Sequence, residues 1–285
     1  MPSIDETPLA PGLYFVSVPI GHARDITLRA LDVLAAADVL VAEDTRSLRK
    51  LMDIHGIALN GRRVLAYHDH NGPQMRPKIM SELKDGRSVA YASEAGTPLI
   101  ADPGFVLGRA AVEAEHTVYP VPGASAVLAA LTASALPTDM FLFAGFAPAA
   151  KGARSKFLED LGSVPATLVF YESPKRLNAF LQSAQEALGD DRQVSVCREL
   201  TKKFEEIRRG TFSELLEHFD ANPPRGEIVI CVAKGSVAVD PEQVEAALRE
   251  ALQTMKLKAA ANSVAETFGL SKRDVYQMGL ELGRD

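Results

Sequence analysis

Cysteine is almost missing from this chain: 285 residues hold two, Cys197 and Cys231. Both sit inside apolar strand-like runs, a pattern of buried free thiols rather than of a disulfide framework or a zinc site. No apolar run approaches the length of a membrane span, and the amino terminus, with Asp5 and Glu6, lacks the basic-then-apolar pattern of a signal peptide. A cytoplasmic protein with no membrane partner is expected. There is no G-x-G-x-x-G run after the first strand-like segment and no G-x-x-x-x-G-K-[ST], which argues against the commoner dinucleotide and nucleoside triphosphate sites. Net positive charge is lacking too. The formal charge of -6 speaks against indiscriminate nucleic-acid binding but leaves room for local basic patches.

What is present is a long alternation of strand-like and helix-like patterns. Through the first 120 residues it predicts an α/β fold with a mostly parallel sheet and helices on its faces. Strands are expected at 12–18, 39–42, 64–67, 88–92 and 117–121. Helices are expected between them, the first at 27–37 with Asp25 as its candidate cap. Leu136-Pro137-Thr138-Asp139 is the expected break, giving a first α/β domain over 1–136 and a second, with mixed strand directions, over 137–238. From 239 to 285 the pattern is wholly helical. Gly269-Leu270-Ser271 interrupts it, with Ser271 and Asp274 resembling a capping box, so a helix-turn-helix-like tail is expected.

Two loops carry most of the functional information. Ser93-Glu94-Ala95-Gly96-Thr97-Pro98 runs on to Ala101-Asp102-Pro103-Gly104, and Pro122-Gly123-Ala124-Ser125-Ala126 follows a later strand. Both stand at the carboxyl ends of predicted strands, where open α/β sheets hold their ligands. Glycine there removes the Cβ and lets backbone approach a small molecule, as expected at Gly123, while proline stiffens the loop. The amides that open the helix after Ser125 suit a carboxylate.

These loops, with Val18-Pro19-Ile20-Gly21, Asp25 to Ala30, Glu43-Asp44-Thr45-Arg46, Tyr67-His68-Asp69-His70-Asn71 and Tyr171-Glu172-Ser173-Pro174-Lys175-Arg176, resemble the branch of the tetrapyrrole methylase family that methylates small-subunit ribosomal RNA. The ordered matches run from Gly12 to Lys234. The resemblance implies S-adenosylmethionine in a cleft between two α/β domains, a homodimer, no metal in the catalytic step, and methylation of a cytidine ribose 2′-hydroxyl in the decoding region of 16S rRNA. Carried over residue by residue, it implies cofactor contacts at Pro19, Gly21, Ala95, Gly96, Thr97, Asp102, Pro103, Gly104, Pro122, Gly123, Ala124, Ser125, Ala126 and Tyr171. The chain departs from the branch at Gly21-His22-Ala23, usually Gly-Asn-Leu, and at Glu94, usually aspartate.

Methyl transfer from a sulfonium is an in-line displacement, so positioning is the largest contribution a protein can make. A nearby carboxylate or imidazole can take the hydroxyl proton. Candidates at predicted strand ends are Glu94, Glu43 and Asp44, followed by His68, Asp69, Glu172 and Glu199. For Asp44 the plainer role is to cap a helix or pair with Arg46. His68-Asp69-His70 puts two imidazoles on one side of a strand, but without a further ligand it reads as a polar substrate-facing loop. For RNA the expected contacts are Arg24, Arg46, Arg49, His68, Lys175 and Arg176, within a wider set that includes Lys50, Lys151, Arg154, Lys156, Lys202 and Lys203. Two alternatives keep part of this picture. One is C-methylation of a precorrin-type tetrapyrrole, disfavoured by the charged cleft motifs; the other is a DNA-binding regulator acting through the helical tail.

Overall fold

The computed structural model describes residues 4–68, 70–101, 104–235, 241–268 and 270–282, so expectations placed on Asp69, Asp102, Pro103 and Gly269 lie outside the described residues. The first sheet is formed by β1 (Gly12–Val16), β2 (Val39–Ala42), β3 (Val64–Ala66), β4 (Ser88–Ala92) and β5 (Val118–Val121). All pairings are parallel, in the order β3-β2-β4-β1-β5. Strands buried on both faces need apolar residues at every position, which is why the sequence shows unbroken runs here rather than alternation. Leu13 and Phe15 point to the face covered by α3 (Gly72–Lys84) and α4 (Gly104–Glu113). Tyr14 and Val16 point to the opposite face, under α1 (Leu28–Ala36) and α2 (Thr45–Ile54).

β1 and β4 lie side by side, yet the chain leaves β1 across one face and β4 across the other. That reversal is the topological switch point where such sheets open a crevice. The cap of α1 is Thr27, not Asp25: its Oγ1 accepts from the Ala30 amide at 3.1 Å, while the Asp25 amide closes a turn onto the His22 carbonyl.

The second sheet is mixed, as expected. It is formed by β6 (Phe141–Phe146), β7 (Thr167–Glu172), β8 (Val194–Arg198), β9 (Glu206–Gly210) and β10 (Ile228–Val232), in the order β6-β7-β10-β8-β9. β6 and β7 are parallel and the other pairs antiparallel. One face carries α6 (Lys151–Leu161), α7 (Leu177–Leu188) and α8 (Phe212–Ala221), which pack Leu158, Phe180, Leu181, Phe212 and Phe219 over Leu168, Phe170 and Ile230.

The other face is covered by α5 (Ala126–Ser134), the helix that leaves the first sheet. Val127, Ala130 and Leu131 of α5 pack on Val169, Cys197, Val229 and Cys231. Alanines on the helix permit that close approach, and the packing welds the two sheets together. Both thiols are buried and free, and burial pushes the Cys231 thiol up to about 12.

The tail holds three helices, α9 (Pro241–Leu252), α10 (Leu257–Phe268) and α11 (Lys272–Leu282), around a small core of Val244, Leu248, Ala261, Val264 and Val275. α11 starts just after Ser271, whose carbonyl accepts from the Asp274 and Val275 amides. Among the described residues no helix is long and apolar enough to cross a membrane.

Candidate functional site

Three loops at the carboxyl edge of the first sheet are laced into one wall. After β1, the Val18 amide donates to the Gly96 carbonyl at 2.9 Å, and the Gly96 amide returns to the Val18 carbonyl at 3.1 Å. Ser17 Oγ donates to Thr97 Oγ1 at 3.3 Å, and Thr97 Oγ1 donates to the Ala124 carbonyl at 3.0 Å. Gly96 has φ +74°, a conformation that favours glycine, and its neighbours Leu99 and Ala101 reach φ +70° and +58°. Backbone held in the left-handed region at non-glycine positions is strained, and strain of this kind gathers at ligand sites.

Facing this wall is the edge of the second sheet: the ends of β6 and β7 and the start of β10. Between them lies a cavity of about 470 Å³. The first sheet contributes Ile20, Glu43, the loop Glu94 to Thr97, and Ser125 and Ala126 at the start of α5. The second contributes Phe146, Tyr171 to Pro174, and Gly226 to Val229. A neighbouring cavity of about 310 Å³ shares Ile20, Glu94, Ala95 and Glu227 with it, and is lined further by Pro19, Gly21, Lys50 and Lys202.

The seam between the sheets is tight at Gly21. A Cβ there would lie 2.5 Å from Lys202 Cγ and 2.6 Å from Thr201 Oγ1. The His22 amide donates to Thr201 Oγ1 at 3.0 Å, so the residue that departs from the branch pattern still uses its backbone. Lys202 Nζ bridges Glu199 at 2.9 Å and Glu227 at 2.8 Å. Burial opposes its charge, but the hydrogen bonds to Glu227 and Glu199 outweigh burial and hold the ammonium above its usual pKa. The Glu227 amide, with help from Lys202, holds the Glu199 carboxyl below its ordinary range.

Of the expected cofactor contacts, Ala95, Gly96, Thr97, Ser125, Ala126 and Tyr171 line the larger cavity, and Pro19 and Gly21 the smaller. Gly104, Pro122, Gly123 and Ala124 are not among the lining residues of either. At Gly123 a further reason for glycine is visible: a Cβ would lie 2.8 Å from Ser17 Cβ, so loop-to-loop packing alone already excludes a side chain.

The candidate bases separate by position. Glu43 and Glu94 reach the cavity, and the Glu94 amide donates to Glu43 Oε2 at 3.2 Å. Asp44 instead caps α2, accepting from the Arg46 amide at 2.8 Å, and pairs with the Arg46 guanidinium at 3.1 Å. Those bonds to Arg46 hold its carboxyl below the ordinary range. Glu172 ends β7 with its side chain fully buried, 3.2 Å from the Arg176 guanidinium. Burial pushes its carboxyl up. His68 stands away from both cavities, its amide donating to Asn71 Oδ1 at 2.9 Å.

Among the expected RNA contacts, Arg24, Arg46, Arg49 and Lys175 are exposed, and Lys50 borders the smaller cavity. Arg176 is turned inward, shared between Glu172 and the Ala147 carbonyl. Arg154 is buried, with Nε donating to Ser183 Oγ at 3.0 Å, so it is a structural cation rather than an RNA contact. Sequence reasoning missed Phe146 and the segment Gly226 to Val229. The only signal for the latter was the glycine before β10, which has φ +89°.

The arrangement fits a compact ligand that is cationic at its centre. Its volume suits a nucleoside-sized molecule. Glu43, Glu94 and Glu227 line the cavity, whereas the Glu172 side chain, from the same wall, is fully buried against Arg176. The backbone of Ala95 to Thr97 and the start of α5 lie open to it, beside apolar Ile20, Ile228 and Val229.

Comparison with known proteins agrees with this geometry. The family model described as Tetrapyrrole (Corrin/Porphyrin) Methylases matches residues 12–216, and that described as RsmI C-terminal HTH domain matches residues 238–283. The chain is 48% identical over 281 residues to the ribosomal RNA small subunit methyltransferase I of Mesorhizobium japonicum, covering 98% of this chain and 95% of that protein. Its counterpart in Escherichia coli O157:H7 is 42% identical, with 94% of each chain covered. Among solved structures, a cobalt precorrin-4 methyltransferase of cobalamin biosynthesis superposes with a TM-score of 0.59 at 21% identity, covering 78% of this chain and 94% of that one. The uroporphyrin-III C-methyltransferase of Thermus thermophilus, in complex with S-adenosyl homocysteine, gives 0.55 at 18%, covering 78% and 97%. At those identities the likeness is one of fold.

Proposed function

The chain belongs to the tetrapyrrole methylase family, and from that premise we propose that it transfers the methyl group of S-adenosylmethionine to the ribose 2′-hydroxyl of a cytidine in the decoding region of 16S rRNA. The observation that carries this reading is near-full-length identity of 38–48% to relatives named for small-subunit rRNA methylation, the helical tail included. The porphyrinoid enzymes share the fold at 18–21% identity and do not bear on the acceptor.

Bound between the sheets, the cofactor supplies an electrophilic methyl on a sulfonium. The residues that would hold it are Ala95 to Thr97, Ser125, Ala126 and Tyr171, with the surrounding carboxylates opposite its positive charge. The chain's own work is then positioning, exclusion of water and removal of one proton. The walls of Ile20, Ile228 and Val229 keep the site dry. Glu94, tied through its amide to Glu43, accepts the proton that the 2′-hydroxyl gives up. Exposed Arg24, Arg46, Arg49, Lys50 and Lys175 meet the phosphates. Residues 1–136, 137–238 and 239–285 serve as cofactor wall, opposing wall and RNA-docking tail, in a cytoplasmic protein.

The test is incubation with radiolabelled S-adenosylmethionine and small ribosomal subunits from a strain lacking the modification. Label in a single 2′-O-methylcytidine is expected. Label on a porphyrinoid and none on RNA would overturn the reading.

A homodimer fits the same reading. Phe105, Val106 and Val112 on α4 and Leu128 on α5 leave large apolar groups exposed, an excess that a second copy would cover. Sedimentation is expected to give twice the 30.7 kDa chain mass; a monomer at micromolar concentration would refute the dimer.

A further inference from the structure

β6 contains an irregularity that decides where one aromatic ring points. Leu142 pairs with Leu168 and Phe143 with Val169, but the next pairs are Gly145 with Phe170 and Phe146 with Tyr171, so Ala144 is an extra residue. Gly145 takes φ +67°, as a bulge of this kind requires. Leu142, Leu168 and Phe170 belong to the core under α6 to α8, whereas Phe143, Val169 and Tyr171 face the opposite side. In a regular strand Phe146 would share a face with Leu142 and Ala144 and enter the helix-side core. The bulge turns it over, beside Tyr171, where it lines the cavity.

An aromatic ring steered out of a core and left 56% exposed calls for an occupant. Phe146 meets Tyr171 edge to face, 5.6 Å between centroids, and Phe143 meets Tyr171 at 4.8 Å. The ring is thus braced from one side and open on its face. It stands on an edge strand of its sheet, while the enclosed part of the cavity is lined by Ile20, Gly96, Ile228 and Val229. Phe146 is thus exposed at the cavity together with Glu94 and Glu227, where a group arriving from solvent can reach ring and carboxylates at once. Proteins that take single nucleotides out of RNA stack the base on such a platform, because hydrogen bonds alone leave the base free to rotate.

We propose that Phe146, turned onto the cavity side by the Ala144–Gly145 bulge and braced by Tyr171, is the platform on which the base of the acceptor nucleotide stacks, so that its ribose enters the cavity lined by Glu94. The inference rests on the rRNA reading above and goes beyond it in naming how the target nucleotide is held.

The experiment uses the full-length enzyme, unmethylated small subunits and S-adenosylhomocysteine. F146A is expected to keep its calorimetric affinity for S-adenosylhomocysteine within about twofold and to lose about 10- to 100-fold in kcat/KM for subunits. F146Y and F146W restore most of that loss and F146L does not, which a merely space-filling role would not produce. The chain has no tryptophan, so F146W carries a single tryptophan, which can be excited selectively at wavelengths clear of the 6 tyrosines. Its fluorescence should be unchanged by S-adenosylhomocysteine. Quenching by that ligand, weakened cofactor binding in F146A, or full activity in F146L would each overturn the proposal. If the wild-type enzyme labels no rRNA, the functional reading itself fails, an outcome separate from these.

Discussion

Glu94→Gln lowers kcat on unmethylated small subunits by about 10²- to 10⁴-fold, the usual contribution of a positioned proton acceptor, and leaves the affinity for S-adenosylhomocysteine nearly intact. Several groups at strand ends are chemically able to take the proton, and the structure divides those among the described residues by position. Asp44 spends both oxygens on Arg46 and the start of α2. Glu199 is held by Lys202 and the Glu227 amide. Glu172 is buried against Arg176. Glu94 borders both cavities, at the end of the strand beside the switch point, and Glu43 anchors the backbone that carries it. A carboxamide keeps the shape and removes the basic oxygen, so the loss should fall on kcat rather than on binding. If E43Q shows the large loss and E94Q a small one, the roles are exchanged. A loss in E94Q that lies entirely in cofactor affinity would make it a binding residue.

Arg176→Met destabilises the fold by about 3 kcal/mol, read from denaturant midpoints at pH 7. Removing one partner of a buried ion pair leaves an uncompensated charge, which typically costs about 3–5 kcal/mol. The lower end applies because 32% of the Arg176 side chain meets water, whereas the Glu172 side chain meets none. Replacing both, as Glu172→Met with Arg176→Met, should recover most of the loss, since no buried charge then remains.

The pH dependence follows from burial. Glu172 has a folded pKa raised above its unfolded value. The cost of its ionised form is therefore absent below the ordinary carboxylate range and is complete once pH has risen past the raised value. Without Arg176 that cost is larger, so the deficit of the single variant should shrink as pH falls into the carboxylate range. A single variant as stable as the parent, or a deficit indifferent to pH, would show that the pair carries no such burden.

Much of the first sheet could be read directly. Val39–Ala42 and Ser88–Ala92 fall where their apolar runs begin and end, because strands buried on both faces admit nothing else. The loop from Ser93 was legible for a related reason, since its glycines and prolines are turn chemistry beyond what a connection needs. The mixed directions of the second sheet were also anticipated. What escaped is of another kind. Asp25 and Thr27 are both good cap residues, and only the path of the backbone from His22 decides between them. At Gly123 the sequence says that glycine permits close approach, but it does not name Ser17 as a neighbour. Arg154 and Arg176 look in sequence like any surface cation, and their commitment to Ser183 and Glu172 depends on which helices meet. Phe146 was missed because one inserted residue changes the facing of a strand without changing its composition.

Helix α5 begins at the cavity wall of the first sheet and packs along the opposite sheet. One helix is therefore shared between the loop wall of the first sheet and the core of the second. Strained backbone is found at Leu99, Ala101, Glu199 and Thr201, all in the left-handed region. A shared helix couples the halves: a substitution that loosens its packing on the second sheet also disturbs the loop that opens it at Ser125 and Ala126.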